Sequence, residues 1–380
     1  MSTRPTWVEI SLTQLAENYR IIRKHIGAER AVMAIVKADA YGHGLAEIAK
    51  ALARLGVDWF GVTSADEGVE LRQLGLGQPI LLLTGFWEGE QSALTDYDLV
   101  PAIYSEDQLA TLEAWGRRTG KRLRFHLKVN TGMGMLGLHW HEVDRFLESY
   151  RQMTHVEMEG LFEQFAAAED FTTRQTEEQM ERFQQVEQAL DRAGISPRFR
   201  HQANSAAIVS RPESWGNMVR PGLLLYGYQP PVRVPEGSQP PAFCSLPVRE
   251  ILTYKTKIIS IKQVPAGISM GYGGRYVTPR NSRIATIPAG YADGVNRKLS
   301  GRGRVIICGQ YAPIFGTISM DLTLVDVTDI AHLGIGEEVI LIGNQGECFQ
   351  SALDIAETVG TIPYEILCGI GKRVPRRYVP

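Results

Sequence analysis

Eight apolar, strand-like runs recur through the first 226 residues, with helix-patterned segments between most of them. This alternation restricts the possible folds more than any other feature of the chain. The runs fall at 31–37, 59–63, 79–84, 99–104, 123–129, 156–165, 198–203 and 218–226. Amphipathic segments at 45–55, 64–74, 106–117 and 176–193 lie between them. Strand alternating with helix predicts parallel βαβ units. Eight such strands in about 200 residues is the count of a (β/α)8 TIM-like barrel. The alternative is an open doubly wound sheet. No G-x-G-x-x-G follows the first run, which argues against a dinucleotide-binding version.

The pattern then changes. Residues 229–241, QPPVRVPEGSQPP, are Pro-rich and polar, as in a linker or a surface loop. Short β-rich runs follow at 248–254, 257–262, 282–287, 304–307, 312–318, 322–327 and 338–341, and helical pattern is scarce until 351–359. The expected division is an α/β barrel domain over 1–240 and a C-terminal, mostly-β domain over 241–380.

Composition narrows the function. A net charge of −2 gives no case for nucleic acid or a membrane surface. No apolar run reaches 18 residues, so no transmembrane helix is expected. The N-terminal MSTRPTWVEISLTQL lacks a signal-peptide core, which predicts a cytoplasmic protein. Cys244, Cys308, Cys348 and Cys368 form no C-x-x-C pair and have no histidine at ligand spacing. They read as reduced structural thiols, with no metal site.

Four constellations carry chemistry. The first run ends at Lys37, followed by Tyr41-Gly42-His43-Gly44. A lysine at the C-terminal tip of a buried strand sits where parallel α/β folds place their chemistry. Once desolvated, its pKa falls, and the neutral amine can form a Schiff base or act as a base. Lys128 ends the fifth run in the same way, ahead of the glycine-rich Thr131-Gly132-Met133-Gly134. Asn204-Ser205 follows the seventh run and Arg220-Pro221-Gly222-Leu223 lies in the eighth. The loops after strands seven and eight are the usual phosphate site of a barrel. Asn204 also reads as a helix N-cap, and a capped helix start can bind anions too. The fourth group lies in the β region: Gly271-Tyr272-Gly273-Gly274 and Ser319-Met320-Asp321. Each has a plainer reading as turn or loop structure.

These motifs together resemble the bacterial alanine racemases along the whole chain. The strings are A-I-V-K-A-D-A-Y-G-H-G, L-K-V-N-T-G-M-G, H-Q-A-N-S-A-A, M-V-R-P-G-L-L-L-Y-G, G-Y-G-G, G-Y-A-D-G, S-M-D and G-T-I-P-Y-E-I-L-C, in that family's order. The resemblance implies a barrel with a C-terminal β domain, working as a head-to-tail homodimer. It implies interconversion of L- and D-alanine with pyridoxal 5'-phosphate, supplying D-alanine for cell-wall peptidoglycan. By position, Lys37 would hold the cofactor as a Schiff base and serve one substrate face. Tyr272 would serve the opposite face from the partner subunit. Arg220 would meet the pyridine nitrogen, and His201 would tune Arg220 and Tyr272. Tyr41, Ser205, the backbone of Gly222 and Leu223, and Tyr364 would bind phosphate, with Asn204 beside them. The Met320 backbone would meet the substrate carboxylate, with Asp321 lining the site. Lys128 matches a position that the family often carbamylates.

Two departures stand out. The family continues T-G-M-G with an arginine that touches the cofactor's phenolic oxygen and the substrate carboxylate, and here that position is Met135. Methionine cannot replace a guanidinium fork. The family's Thr-His pair in G-L-F-T-H-F-A is Glu163-Gln164 here. A smaller change is Asn217, where an aspartate is common. These changes admit a racemase of serine or broader specificity, or a weakened homologue. A non-catalytic cofactor carrier is a further alternative, against which the retained Tyr272 and the full β domain argue.

Overall fold

The computed structural model describes residues 4–380; the first three residues of the expected 1–240 domain lie outside them. The chain divides into two compact units. One comprises Leu15–Ala40 and Leu45–Arg249; the other comprises residues up to Gln14, Tyr41–Gly44 and Glu250–Pro380.

The first unit is the barrel. Its strands are Ala31–Ile35, Trp59–Val62, Ile80–Leu82, Leu99–Ile103, Leu123–Asn130, Val156–Phe162, Phe199–His201 and Met218–Val219. The eighth pairs with the first, and strands one to six each pair with their successor, all in parallel. Hydrogen bonds from Arg220 N to Ala203 O (2.9 Å) and from Asn217 N to Arg200 O (3.2 Å) join strand eight to strand seven. The first four of these strands are buried on both faces, as parallel strands covered by helices require. The barrel interior is aromatic: the Trp59 ring lies 5.1 Å from His126 and 5.3 Å from Phe199.

The helices begin where the sequence supplies caps. Ser64 and Glu67 form a capping box before Ala65–Gln73, and Ser105 caps Glu106–Thr119. Gly120, at φ 65°, ends the second of these in the left-handed conformation.

Several expected boundaries move. The first strand ends at Ile35, before Lys37, and the eighth ends at Val219, where Pro221 interrupts the ladder. The proline-rich 229–241 stretch is a surface loop of the barrel unit. Its Arg233 backbone exchanges hydrogen bonds with Phe171 N (2.8 Å) and Glu169 O (2.9 Å).

The second unit is a ten-stranded sheet whose pairs are antiparallel, apart from Thr6–Ser11 with Arg376–Val379. Thr6–Ser11 pairs on its other side with Leu252–Lys257. A single cut near residue 240 therefore does not follow the packing, because the N-terminal strand belongs to the β unit. No helix among the described residues is long and apolar enough to cross a membrane.

Candidate active site

Between Lys37 and Gly42 the backbone forms a turn of the wrong hand. Ala38, Asp39, Ala40 and Tyr41 all have φ between 52° and 55°. Left-handed helical geometry costs about 1–2 kcal/mol per L-residue, so local bonds must hold it. In the barrel unit, Ala40 N donates to Val36 O (2.8 Å), Ala38 N to Glu67 Oε1 (2.6 Å) and Leu45 N to Asp39 Oδ1 (2.7 Å). In the β unit, the Arg376 guanidinium donates twice to Gly42 O, at 3.0 and 2.9 Å. Backbone strain held by this many contacts is a mark of functional positions. Lys37 opens this turn instead of ending a strand.

Arg220 is the centre of the barrel site. It is buried, and its guanidinium donates to His201 Nδ1 (3.0 Å), His201 O (2.8 Å), Glu163 O (2.7 Å), Gln202 O (3.0 Å) and Gln164 Oε1 (3.2 Å). Burial lowers its pKa to about 10, against the pull of Glu163, so it stays charged near neutral pH. An arginine can only donate, which fixes the tautomers behind it. His201 Nδ1 must accept, so its Nε2 carries the proton and donates to His126 Nδ1 at 2.8 Å. Burial holds both imidazoles neutral, helped by the Arg220 charge, and the His126 pKa falls to about 3. Phe162 completes the wall, stacked on His201 at 4.9 Å and 3°.

Lys128 lies over the same Phe162 ring at 5.7 Å. Burial, Arg220 and Lys37 all push its pKa down, to about 8. His126 was missed in the sequence, although strand alternation puts it on the same face as Lys128 two residues on.

Ser205 and Gly222 form a second corner. Ser205 Oγ accepts from Gly222 N (2.9 Å) and Leu224 N (3.3 Å), which leaves its hydrogen to donate. Leu223 is buried between these two residues. Asn204 bridges Arg220 in the sheet and caps Ser205–Ser210 through Ala207 N (3.0 Å). Met135 lies on the loop after the fifth barrel strand, where it is 69% exposed.

The remaining expected residues lie in the β unit. The Tyr41 and Tyr364 rings are 5.7 Å apart, and burial raises the Tyr41 pKa, so its phenol stays protonated. Tyr272 occupies a short turn between Gly271 and Gly273, both at positive φ, and is 72% exposed. Thr317 Oγ1 donates to Tyr272 O at 3.3 Å. Nearby in sequence, Asp321 accepts from Arg373 (2.7 Å), and Met320 O accepts from Ala292 N (3.1 Å). Asp293, in the G-Y-A-D-G string, is fully buried and takes both Arg4 and Arg373.

Residues 10–230 match the family profile "Alanine racemase, N-terminal domain" and residues 251–378 match "Alanine racemase, C-terminal domain". The chain belongs to the alanine racemase family. It is therefore an isomerase. An alanine racemase of Halothermothrix orenii is 40% identical over 376 residues, covering 99% of this chain and 97% of that protein. The solved alanine racemase of Clostridium difficile 630 superposes with a TM-score of 0.91 at 33% identity, covering 100% and 97% of the two chains. That of Bartonella henselae, described with covalently bound pyridoxal phosphate, gives 0.87 at 29% identity over 99% of each chain. These likenesses also exclude the open doubly wound sheet.

Proposed function

We propose that the protein interconverts L- and D-alanine with pyridoxal 5'-phosphate held on Lys37, as a homodimer in which each site takes Tyr272 of the partner subunit. Its product would supply D-alanine for cell-wall peptidoglycan. The observation that carries the reading is Arg220: a buried, charged guanidinium held by neutral acceptors, beside two lysines. Positive charge gathered in a barrel mouth fits an anionic ligand. Ser205 Oγ, with its hydrogen left over, and the Gly222 and Leu223 backbone fit a phosphate at the end of strand eight. Within the β unit, the protonated Tyr41 phenol and Tyr364 also suit an anionic group.

When bound, the cofactor delocalises the charge left by loss of the Cα proton. The protein supplies the rest. Lys37 Nζ takes or returns a proton at one substrate face, and the hydroxyl of Tyr272 of the partner subunit does so at the other. The exposure of Tyr272 on its own turn suits donation to another chain. Arg220 keeps its proton, so it would hydrogen-bond a ring nitrogen of the cofactor without protonating it. That weakens the ring as an electron sink and restrains side reactions such as transamination. Lys128 lies close enough to Lys37 for the Lys37 charge to help push the Lys128 pKa down to about 8.

The exposed Met135 and the engagement of Gln164 with Arg220 favour a variant reading with a weakened hold on the substrate carboxylate and broader substrate use.

The test is spectroscopic and chemical. Protein reconstituted with pyridoxal phosphate should show a visible band, convert L-alanine to D-alanine, and lose both on Lys37→Ala. A borohydride-trapped adduct on a different lysine would refute the assignment.

A further inference from the structure

One buried ionisable group has no part in the reaction proposed above. Glu163 follows Phe162 at the end of the sixth barrel strand and is fully buried. Phe162 faces the barrel interior against His201, so strand alternation turns Glu163 the other way, toward the helix Gln175–Arg192. There the Thr131 hydroxyl donates to Glu163 Oε2, and Gln179 Nε2 donates to Thr131 Oγ1 at 3.1 Å. Gln179 Nε2 can only donate, so Thr131 Oγ1 accepts from it and passes its own hydrogen on to Glu163.

Glu163 Oε1 has no hydrogen-bond partner among the described residues. A buried carboxylate with one accepted bond and one bare oxygen is costly. A carboxylic acid with its proton on Oε1 keeps the Thr131 bond and avoids the buried charge. Burial drives the pKa up to about 8, although the Thr131 bond and Arg220 pull it down. The charged groups around it are Arg220 just after strand eight, Glu187 and Arg182 from the helix, and Lys128, whose strand pairs with Phe162.

Two links run from this corner to Arg220. Glu163 O and Gln164 Oε1 both accept from Arg220 Nη2, at 2.7 and 3.2 Å. From the helix side, Gln179 Nε2 holds Gln164 O (3.1 Å) and Gln179 Oε1 holds Ala166 N (3.0 Å). The segment 163–166 is thus pinned behind by Thr131 and Gln179, and presents two acceptors to Arg220 in front.

We propose that Glu163 is a positioning residue which, as a neutral carboxylic acid, fastens segment 163–166 to Thr131 and so fixes the two acceptors that orient Arg220. The inference rests on the role given to Arg220 above. Ionisation would place a charge with no partner for Oε1 beside Glu187, and would draw Arg220 from its place.

The test compares wild type, Glu163→Gln and Glu163→Ala as pyridoxal-phosphate holoenzymes from about pH 6 to about pH 10. Infrared difference spectra should show a protonated carboxyl in wild type that titrates near pH 8 and is missing from Glu163→Gln. The visible band of wild type should change over the same range, and that part of the change should vanish in Glu163→Gln. Lys128 also titrates near pH 8 and would remain in both. Glu163→Gln should keep kcat within about twofold near pH 7, and Glu163→Ala should lose about tenfold in kcat with KM little changed, the scale of one lost hydrogen bond. Should Glu163→Ala fail to fold, Glu163→Asp takes its place, because its shorter arm cannot reach Thr131 and retain both links. Identical infrared spectra for wild type and Glu163→Gln would overturn the proposal, as would a Glu163→Ala enzyme with full kcat. If wild type shows no visible band, the proposed function fails, while the infrared comparison still judges Glu163.

Discussion

Replacing Asp293 by Asn should destabilise the protein by about 3 kcal/mol near pH 7, and the loss should fade in acid. Asp293 is fully buried, and two guanidinium forks close on it. Arg4 donates to Oδ1 at 2.5 Å and to Oδ2 at 2.8 Å; Arg373 donates at 2.7 and 3.0 Å; Gly290 N adds a bond at 2.9 Å. Asparagine keeps the shape but turns one acceptor into a donor facing N–H groups. Breaking a buried ion pair costs about 3–5 kcal/mol. The lower end applies because the side chains of Arg4 and Arg373 are 26% and 40% exposed and keep some water. Burial pushes the Asp293 carboxyl up, but the bonds from Arg373, Arg4 and Gly290 outweigh it, so its folded pKa lies below the ordinary aspartate value. The stabilisation is therefore present above the unfolded pKa and disappears as pH falls through the folded one. Urea unfolding of the two proteins at a series of pH values measures the difference. Arg373 also holds Asp321 Oδ1 (2.7 Å) and Met320 O (3.4 Å), so KM for alanine should rise in parallel. A variant within about 0.5 kcal/mol of wild type near pH 7 would refute the reasoning. A difference that does not shrink in acid would refute the electrostatic part.

Tyr272→Phe should lower racemisation by about 10²–10⁴-fold, the scale of a lost acid–base group, with cofactor binding unchanged by absorbance. Met135→Arg should lower KM for alanine by about tenfold, the lower end for a charge-assisted hydrogen bond because residue 135 is so exposed. The double change Met135→Arg with Gln164→His should exceed the sum of the singles, because Gln164 already engages Arg220. Unchanged kcat/KM in Met135→Arg, with cofactor bound, would mean that another group holds the carboxylate.

The barrel was legible because its strands are buried on both faces. Runs such as VMAIV and WFGV have no polar face to confuse the period, and turns and caps such as Ser64 and Ser105 mark the intervals. Lys37, Arg220 and Ser205 stood out as candidates on the same ground, since strand ends of a barrel converge on one face. The left-handed turn after Lys37 was not legible. Alanine and tyrosine have no local preference for positive φ, and the local bonds to Val36 and Asp39 are joined by distant ones from Glu67 and Arg376 that the sequence does not announce. Nor was the place of Thr6–Ser11, whose partners lie some 240 residues away in sequence. The His126–His201–Arg220 chain needed the barrel to close before three strands could bring the groups together. Glu163 read as an extra carboxylate near the site. The structure turns it to the outer side of the wall, where Thr131 and Gln179 hold it.

The central claim is a site that joins Lys37 of one subunit to Tyr272 of the other, and a purified hybrid dimer tests it most directly. One subunit carries Lys37→Ala and the other Tyr272→Phe, and racemisation of L-alanine is compared with each parent homodimer. If the site is shared, one of the two sites has both groups intact, and the hybrid should recover about half of wild-type activity. Activity no higher than that of the two parents would show that each site uses its own subunit's tyrosine, and would contradict the account.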